Sequence, residues 1–108
     1  MATTLYHWKS GEIFEGNSGR FSDVTNPAPG EVTAQLALAS EDDVNEVVAA
    51  AAAAFPMWRD MSLTRRTQLL FAFRELLNAR KKELAAIITS EHGKVLSDAL
   101  GEVTRGQE

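Results

Sequence analysis

The chain has 108 residues, with 11 lysines and arginines against 15 acidic residues and a formal charge of −4. That length fits one small domain or part of a larger one, and a mildly acidic chain without a basic stripe argues against nucleic acid as its main partner. It has no cysteine, which removes disulfides, thiolate metal sites and a cysteine nucleophile from these residues.

The N-terminus, Met1-Ala-Thr-Thr-Leu-Tyr-His-Trp8, lacks the basic and apolar regions of a signal peptide. The longest apolar stretch, Val47 to Phe55, is mostly alanine and too short to span a bilayer. A cytoplasmic protein with no membrane partner is the expectation. Tyr6 to Lys9 and Glu12 to Glu15 flank Ser10-Gly11 and read as a hairpin. Glu15-Gly-Asn-Ser-Gly19 is a loop by composition. Phe21 to Thr25 is a third strand, stopped at Asn26-Pro27 because the residue before proline is driven away from helical backbone. Pro29-Gly30 then turns the chain into Val32 to Leu38, whose partial alternation puts Val32, Ala34, Leu36 and Leu38 on one face.

From Ser40 the apolar period changes to 3.6. Ser40 is a good N-cap, Asp43 can reach back to its amide, and Glu41 and Asp42 suit the positive end of the helix dipole. Val44, Val47, Val48, Ala51, Ala54 and Phe55 form one stripe, and Pro56 is expected to end or restart this helix. Ser62 or Thr64 caps the next, with a stripe of Leu69, Leu70, Phe73, Leu76 and Leu77 that continues through Leu84, Ile87 and Ile88. Asn78 marks a plausible break within it. Gly93 reads as the left-handed residue that stops a helix after His92. The last helix starts near Lys94 or Val95 and is expected to bury Leu96, Ala99, Leu100 and Val103.

Residues 1–39 are therefore short strands and turns, and residues 40–108 are three or four helices. An independent α/β domain alternates strands with helices, and no strand is predicted between these helices. The chain reads as the opening segment of a larger α/β protein.

Few motifs carry chemistry. His92-Gly-Lys-Val95 lacks the first glycine and the final hydroxyl of a phosphate loop. Gly11, Gly16 and Gly19 miss the dinucleotide spacing. His7 and His92 have no ligand-spaced carboxylates, so no metal is expected. Arg80-Lys81-Lys82 beside Glu83 reads as a solvated face. Arg105 stands apart. It lies between Gly101 and Gly106, each costing a helix interior about 1 kcal/mol relative to alanine. Spacing predicts an ion pair with Glu102. The glycines leave a second reading open, in which a thinned helix surface lets a carboxylate approach the guanidinium.

The segments Phe21-Ser-Asp-Val-Thr-Asn-Pro-Ala-Pro-Gly-Glu-Val32 and Ala52-Ala-Ala-Phe-Pro-Met-Trp58 resemble the start of the aldehyde dehydrogenase superfamily, as do the stretches from Arg65 to Leu77 and from Leu84 to Lys94. Thr89-Ser-Glu-His-Gly-Lys94, followed by Asp98-Ala-Leu-Gly-Glu-Val-Thr-Arg-Gly-Gln-Glu108, is similar to the CoA-acylating branch, the methylmalonate-semialdehyde dehydrogenases. Pro29 stands where that pattern often has threonine, and Gln107 where it usually has an apolar residue. The resemblance runs from about Tyr6 to Glu108 and implies the N-terminal portion of an aldehyde dehydrogenase fold. It implies an NAD-dependent enzyme that takes methylmalonate or malonate semialdehyde to propionyl- or acetyl-CoA with loss of CO2, and that assembles as a homo-oligomer. It also implies that Arg105 is one of two arginines holding the substrate carboxylate, a role suited to a planar guanidinium. The cysteine thiolate, the second arginine, the oxyanion asparagine and the NAD and CoA sites are expected outside these residues, so the chain alone is expected to be inactive. The alternatives are part of a non-acylating aldehyde dehydrogenase, or a helical module acting only in assembly or interaction.

Overall fold

A computed structural model describes residues 3–108. They form two compact units, one of Met1–Thr25 with Glu31–Asp60, the other of Asn26–Gly30 with Met61–Glu108.

The first unit holds β1 (Thr3–Leu5), β2 (His7–Lys9), β3 (Glu12–Phe14), β4 (Phe21–Thr25), β5 (Val32–Ala37) and α1 (Glu41–Asp60). The expected hairpin is present. His7 faces Phe14 and Lys9 faces Glu12 across β2 and β3. Ser10 and Gly11 both adopt left-handed backbone, with φ of 53° and 83°, the conformation that matches strand twist in a two-residue turn. Tyr6 lies outside the strand assigned to it from sequence.

A three-stranded sheet runs in the order β1-β5-β4, with β5 parallel to β1 and antiparallel to β4. β1 was not predicted, because its partner lies far along the chain and a three-residue strand has almost no period of its own. The single apolar face expected on β5 is also corrected. Ala34 and Ala37 are the buried residues, while Val32 and Leu36 remain exposed. β5 is the middle strand, with Ala34 between Thr3 and Val24. Its flanking strands cover small side chains that stay near the sheet, whereas larger ones reach past them.

Ser40 and Asp43 start α1 with a reciprocal cap. The Ser40 amide donates to Asp43 Oδ2 at 2.9 Å and the Asp43 amide donates to Ser40 Oγ at 3.1 Å. Pro56 neither ends nor restarts the helix, which runs through it to Asp60. Proline leaves the carbonyl four residues earlier without a helical donor. That residue, Ala52, is exposed, so water can satisfy it. Lys9 pairs with Glu46 on α1 and sits 4.1 Å from the Phe14 ring centre, joining the hairpin to the helix.

The second unit holds α2 (Leu63–Ala79), α3 (Lys81–His92) and α4 (Leu96–Gln107). Ser62 is the cap of α2, its hydroxyl accepting from the Arg65 amide at 3.3 Å. The break falls at Arg80 (φ −105°, ψ 13°) rather than Asn78. Local bonding still continues through it: the Arg80 amide donates to Leu76 O and its own carbonyl accepts from Leu84, both at 3.0 Å. Gly93 ends α3 with φ of 87° and donates to Thr89 O at 2.9 Å. α3 and α4 pack together, and Ala85 and Ala99 are fully buried. Leu96, expected inside, is 55% exposed; it opens α4 in a first turn whose Ser97 and Asp98 are exposed as well.

Among the described residues, the buried apolar side chains are all alanines, and no large side chain is fully buried. On α2, Leu69, Leu70, Phe71, Phe73 and Leu76 are each more than half exposed. An apolar surface of that kind marks a face that packs against other polypeptide. Among the described residues no helix is long and apolar enough to cross a membrane.

Candidate functional site

The site grows from the stop of α3. Gly93 reverses the backbone, Lys94 follows as a non-helical residue, and Val95 leads into α4. Lys94 then reaches along the new helix and its ammonium pairs with the Glu102 carboxylate. A cation ahead of a helix N-terminus opposes the dipole, and the acceptor on Glu102 offsets that. The Glu102 carboxyl lies below its ordinary pKa, first because Lys94 donates to it and further because of the charges of Lys94, Arg105 and His92.

Arg105 lies one turn beyond Glu102 and is exposed. The Arg105–Glu102 ion pair expected from spacing is not formed. Among the described residues Arg105 enters no ion pair, because Glu102 is held by a lysine eight positions earlier. The guanidinium folds back over Gly101, with Nη1 3.7 Å from the point a Cβ there would occupy. This glycine therefore opens space directly beneath the cation. Position near the C-terminal end of α4 favours the positive charge. An exposed guanidinium with free donors can take a carboxylate through two parallel hydrogen bonds. Sequence reasoning missed Lys94, since it precedes α4 and lies eight positions from Glu102, beyond the three- and four-residue spacings that pair side chains on a helix.

The remaining polar residues are taken up elsewhere. Arg80 forks onto Glu83 at 2.9 and 2.7 Å, so the basic run is locally paired at its first residue. His7 and Asp43 line an apolar hollow of about 350 Å3 with Trp8, Phe14, Val44 and Val47. Asp43 is 2% exposed, and its oxygens accept from the Asn17 amide at 3.2 and 3.3 Å as well as from Ser40. Those bonds hold its carboxyl below the usual range, the Ser40 amide contributing most. Asp43 is thus committed to the fold. Among the described residues no three histidine or acidic side chains group as metal ligands.

The doubly wound mode of dinucleotide binding receives the diphosphate at a glycine-rich turn between a strand and a helix. β5 passes to α1 through Leu38, Ala39 and Ser40, without glycine, and the Asp43 amide there already donates to the Ser40 hydroxyl. The β5–α1 connection does not fit a dinucleotide bound in that way.

The profile of the aldehyde dehydrogenase family matches residues 13–108. A malonate-semialdehyde dehydrogenase from Pseudomonas aeruginosa is 41% identical over 105 residues, or 97% of this chain and 21% of that protein. A structure described as a methylmalonate-semialdehyde dehydrogenase from Sinorhizobium meliloti 1021, complexed with NAD, is 41% identical and superposes with a TM-score of 0.95. The match covers 99% of this chain and 22% of that one. A methylmalonate-semialdehyde dehydrogenase from Oceanimonas doudoroffii is 40% identical with a TM-score of 0.92, over 97% of this chain and 21% of its own. The chain thus spans about one fifth of the length of the relatives it matches.

Proposed function

This chain belongs to the aldehyde dehydrogenase family, and on that premise we propose that it is the opening segment of a methylmalonate-semialdehyde dehydrogenase. The complete enzyme is an NAD-dependent, CoA-acylating oxidoreductase. It converts methylmalonate or malonate semialdehyde to propionyl- or acetyl-CoA with release of CO2. The chain holds no cysteine, so the thiolate that attacks the aldehyde and carries the acyl group comes from polypeptide outside these residues. NAD and CoA bind there too.

What these residues contribute is recognition. Arg105 receives the substrate carboxylate, leaving the aldehyde end directed at the nucleophile. The observation that carries this reading is an exposed guanidinium above Gly101, without a carboxylate partner among the described residues. Identity near 41% to relatives named for semialdehydes bearing a carboxylate supports the substrate class. The apolar face of α2 supports packing against further polypeptide, and the reading takes the complete enzyme to be a cytoplasmic homo-oligomer.

The test joins residues 1–108 to the complementary portion of the Pseudomonas aeruginosa relative. Arg105→Ala in that enzyme is expected to raise KM for malonate semialdehyde while leaving propionaldehyde nearly unchanged. Losing a charge-assisted contact costs about 1.5–3 kcal/mol, which corresponds to a factor of roughly ten to one hundred. Equal effects on both aldehydes would remove the carboxylate role.

A further inference from the structure

We propose that Lys94 is a positioning residue for substrate recognition, acting by holding Glu102 away from Arg105. The inference rests on the reading of Arg105 as the carboxylate anchor and adds the device that keeps it available.

Glu102 and Arg105 are three positions apart on α4, a spacing at which opposite charges attract on a helix surface. Left to themselves they would pair, and a substrate carboxylate would have to displace Glu102. Instead Glu102 is engaged by Lys94. Lys94 can do this because Gly93 reverses the backbone in left-handed geometry, with φ of 87°, and sets the lysine just before α4. The lysine side chain is only 21% exposed, and the Glu102 side chain 40%, so the pair is partly shielded from competing ions. The groups around Glu102 are Lys94, Arg105 and His92. Three parts therefore act on one cation: Lys94 draws the acid away, Gly101 clears space under the guanidinium, and Arg105 is left with open donors.

Two measurements test this. In the first, malonate binding to the joined enzyme described above is measured by isothermal titration calorimetry. The wild-type enzyme is expected to bind it. Lys94→Met should weaken binding severalfold, and Lys94→Met with Glu102→Gln should restore it. Binding by Lys94→Met equal to wild type would overturn the proposal.

In the second, KM and kcat for malonate semialdehyde and propionaldehyde are compared in the joined enzyme described above. Lys94→Met should raise KM for malonate semialdehyde severalfold, leave its kcat and both propionaldehyde constants unchanged, and be reversed by Glu102→Gln. If Arg105→Ala removes the preference and Lys94→Met does not, the role of Lys94 fails while that of Arg105 stands. If Arg105→Ala has no selective effect, the functional reading itself fails. A general loss of folding would lower both substrates together and would not be repaired by Glu102→Gln.

Discussion

Ser40 and Asp43 hold each other by two hydrogen bonds, amide to carboxylate at 2.9 Å and amide to hydroxyl at 3.1 Å. The same carboxylate also accepts from the Asn17 amide, so one side chain starts α1 and pins the loop before β4. Ser40→Ala removes one acceptor at the helix start and should cost about 1 kcal/mol. A lower urea midpoint with an unchanged denaturant slope is the expected readout.

Acid should unfasten this junction. The Asp43 carboxyl titrates below its ordinary 3.8, held down first by the Ser40 amide, then by the Ser40 hydroxyl and Asn17 amide, with the charge of His7 adding to these. Its stabilisation is present above the unfolded carboxylate value and disappears as pH falls through the lower folded value. Asp43→Asn should flatten that acid limb. Unfolding midpoints measured from pH 2 to pH 6 on both proteins decide it.

Gly16 faces the same carboxylate from the loop. A Cβ there would lie 2.8 Å from Asp43 Oδ2, and φ at Gly16 is +72°. Gly16→Ala forces a side chain onto left-handed backbone, costing about 1–2 kcal/mol, and pushes into a buried oxygen as well. Calorimetry should show a lower Tm than for Gly19→Ala. Gly19 shares the backbone sign but has open space around its Cβ position, which makes that variant the control for backbone strain alone.

The face of α2 should make the isolated chain associate. Leu70, Phe71 and Phe73 are each 58% exposed or more. Sedimentation velocity should show weight-average mass rising with concentration, and Leu70→Ser with Phe73→Ser should reduce it. A concentration-independent monomer would contradict this.

Residues whose signals are local were legible in the sequence. The Ser40–Asp43 cap, the Ser10-Gly11 turn, Ser62 and the Gly93 stop are each decided within four residues, and each is present. Arg105 could be located on α4 by the same means, but not its surroundings. Its state depends on Lys94, which lies outside α4 and eight positions from the Glu102 it holds. β1 was hidden for a related reason, since parallel pairing has no short-range pattern. At Pro56 a local rule was overruled, because an exposed helix face lets water replace the missing donor.

The pairing of β1 with β5 also orders events in time. Thr3 lies beside Ala34, and Leu5 beside Leu36, so β1 waits for about thirty more residues before it has a partner. Closing so long a connection is entropically slow relative to the hairpin or the helix caps. β2 and β3 can form as soon as they are synthesised, whereas β1 joins an already paired β4–β5 ribbon. β1 should therefore be the last strand to gain protection during refolding and the first to lose it, visible as early exchange of the Thr3 to Leu5 amides.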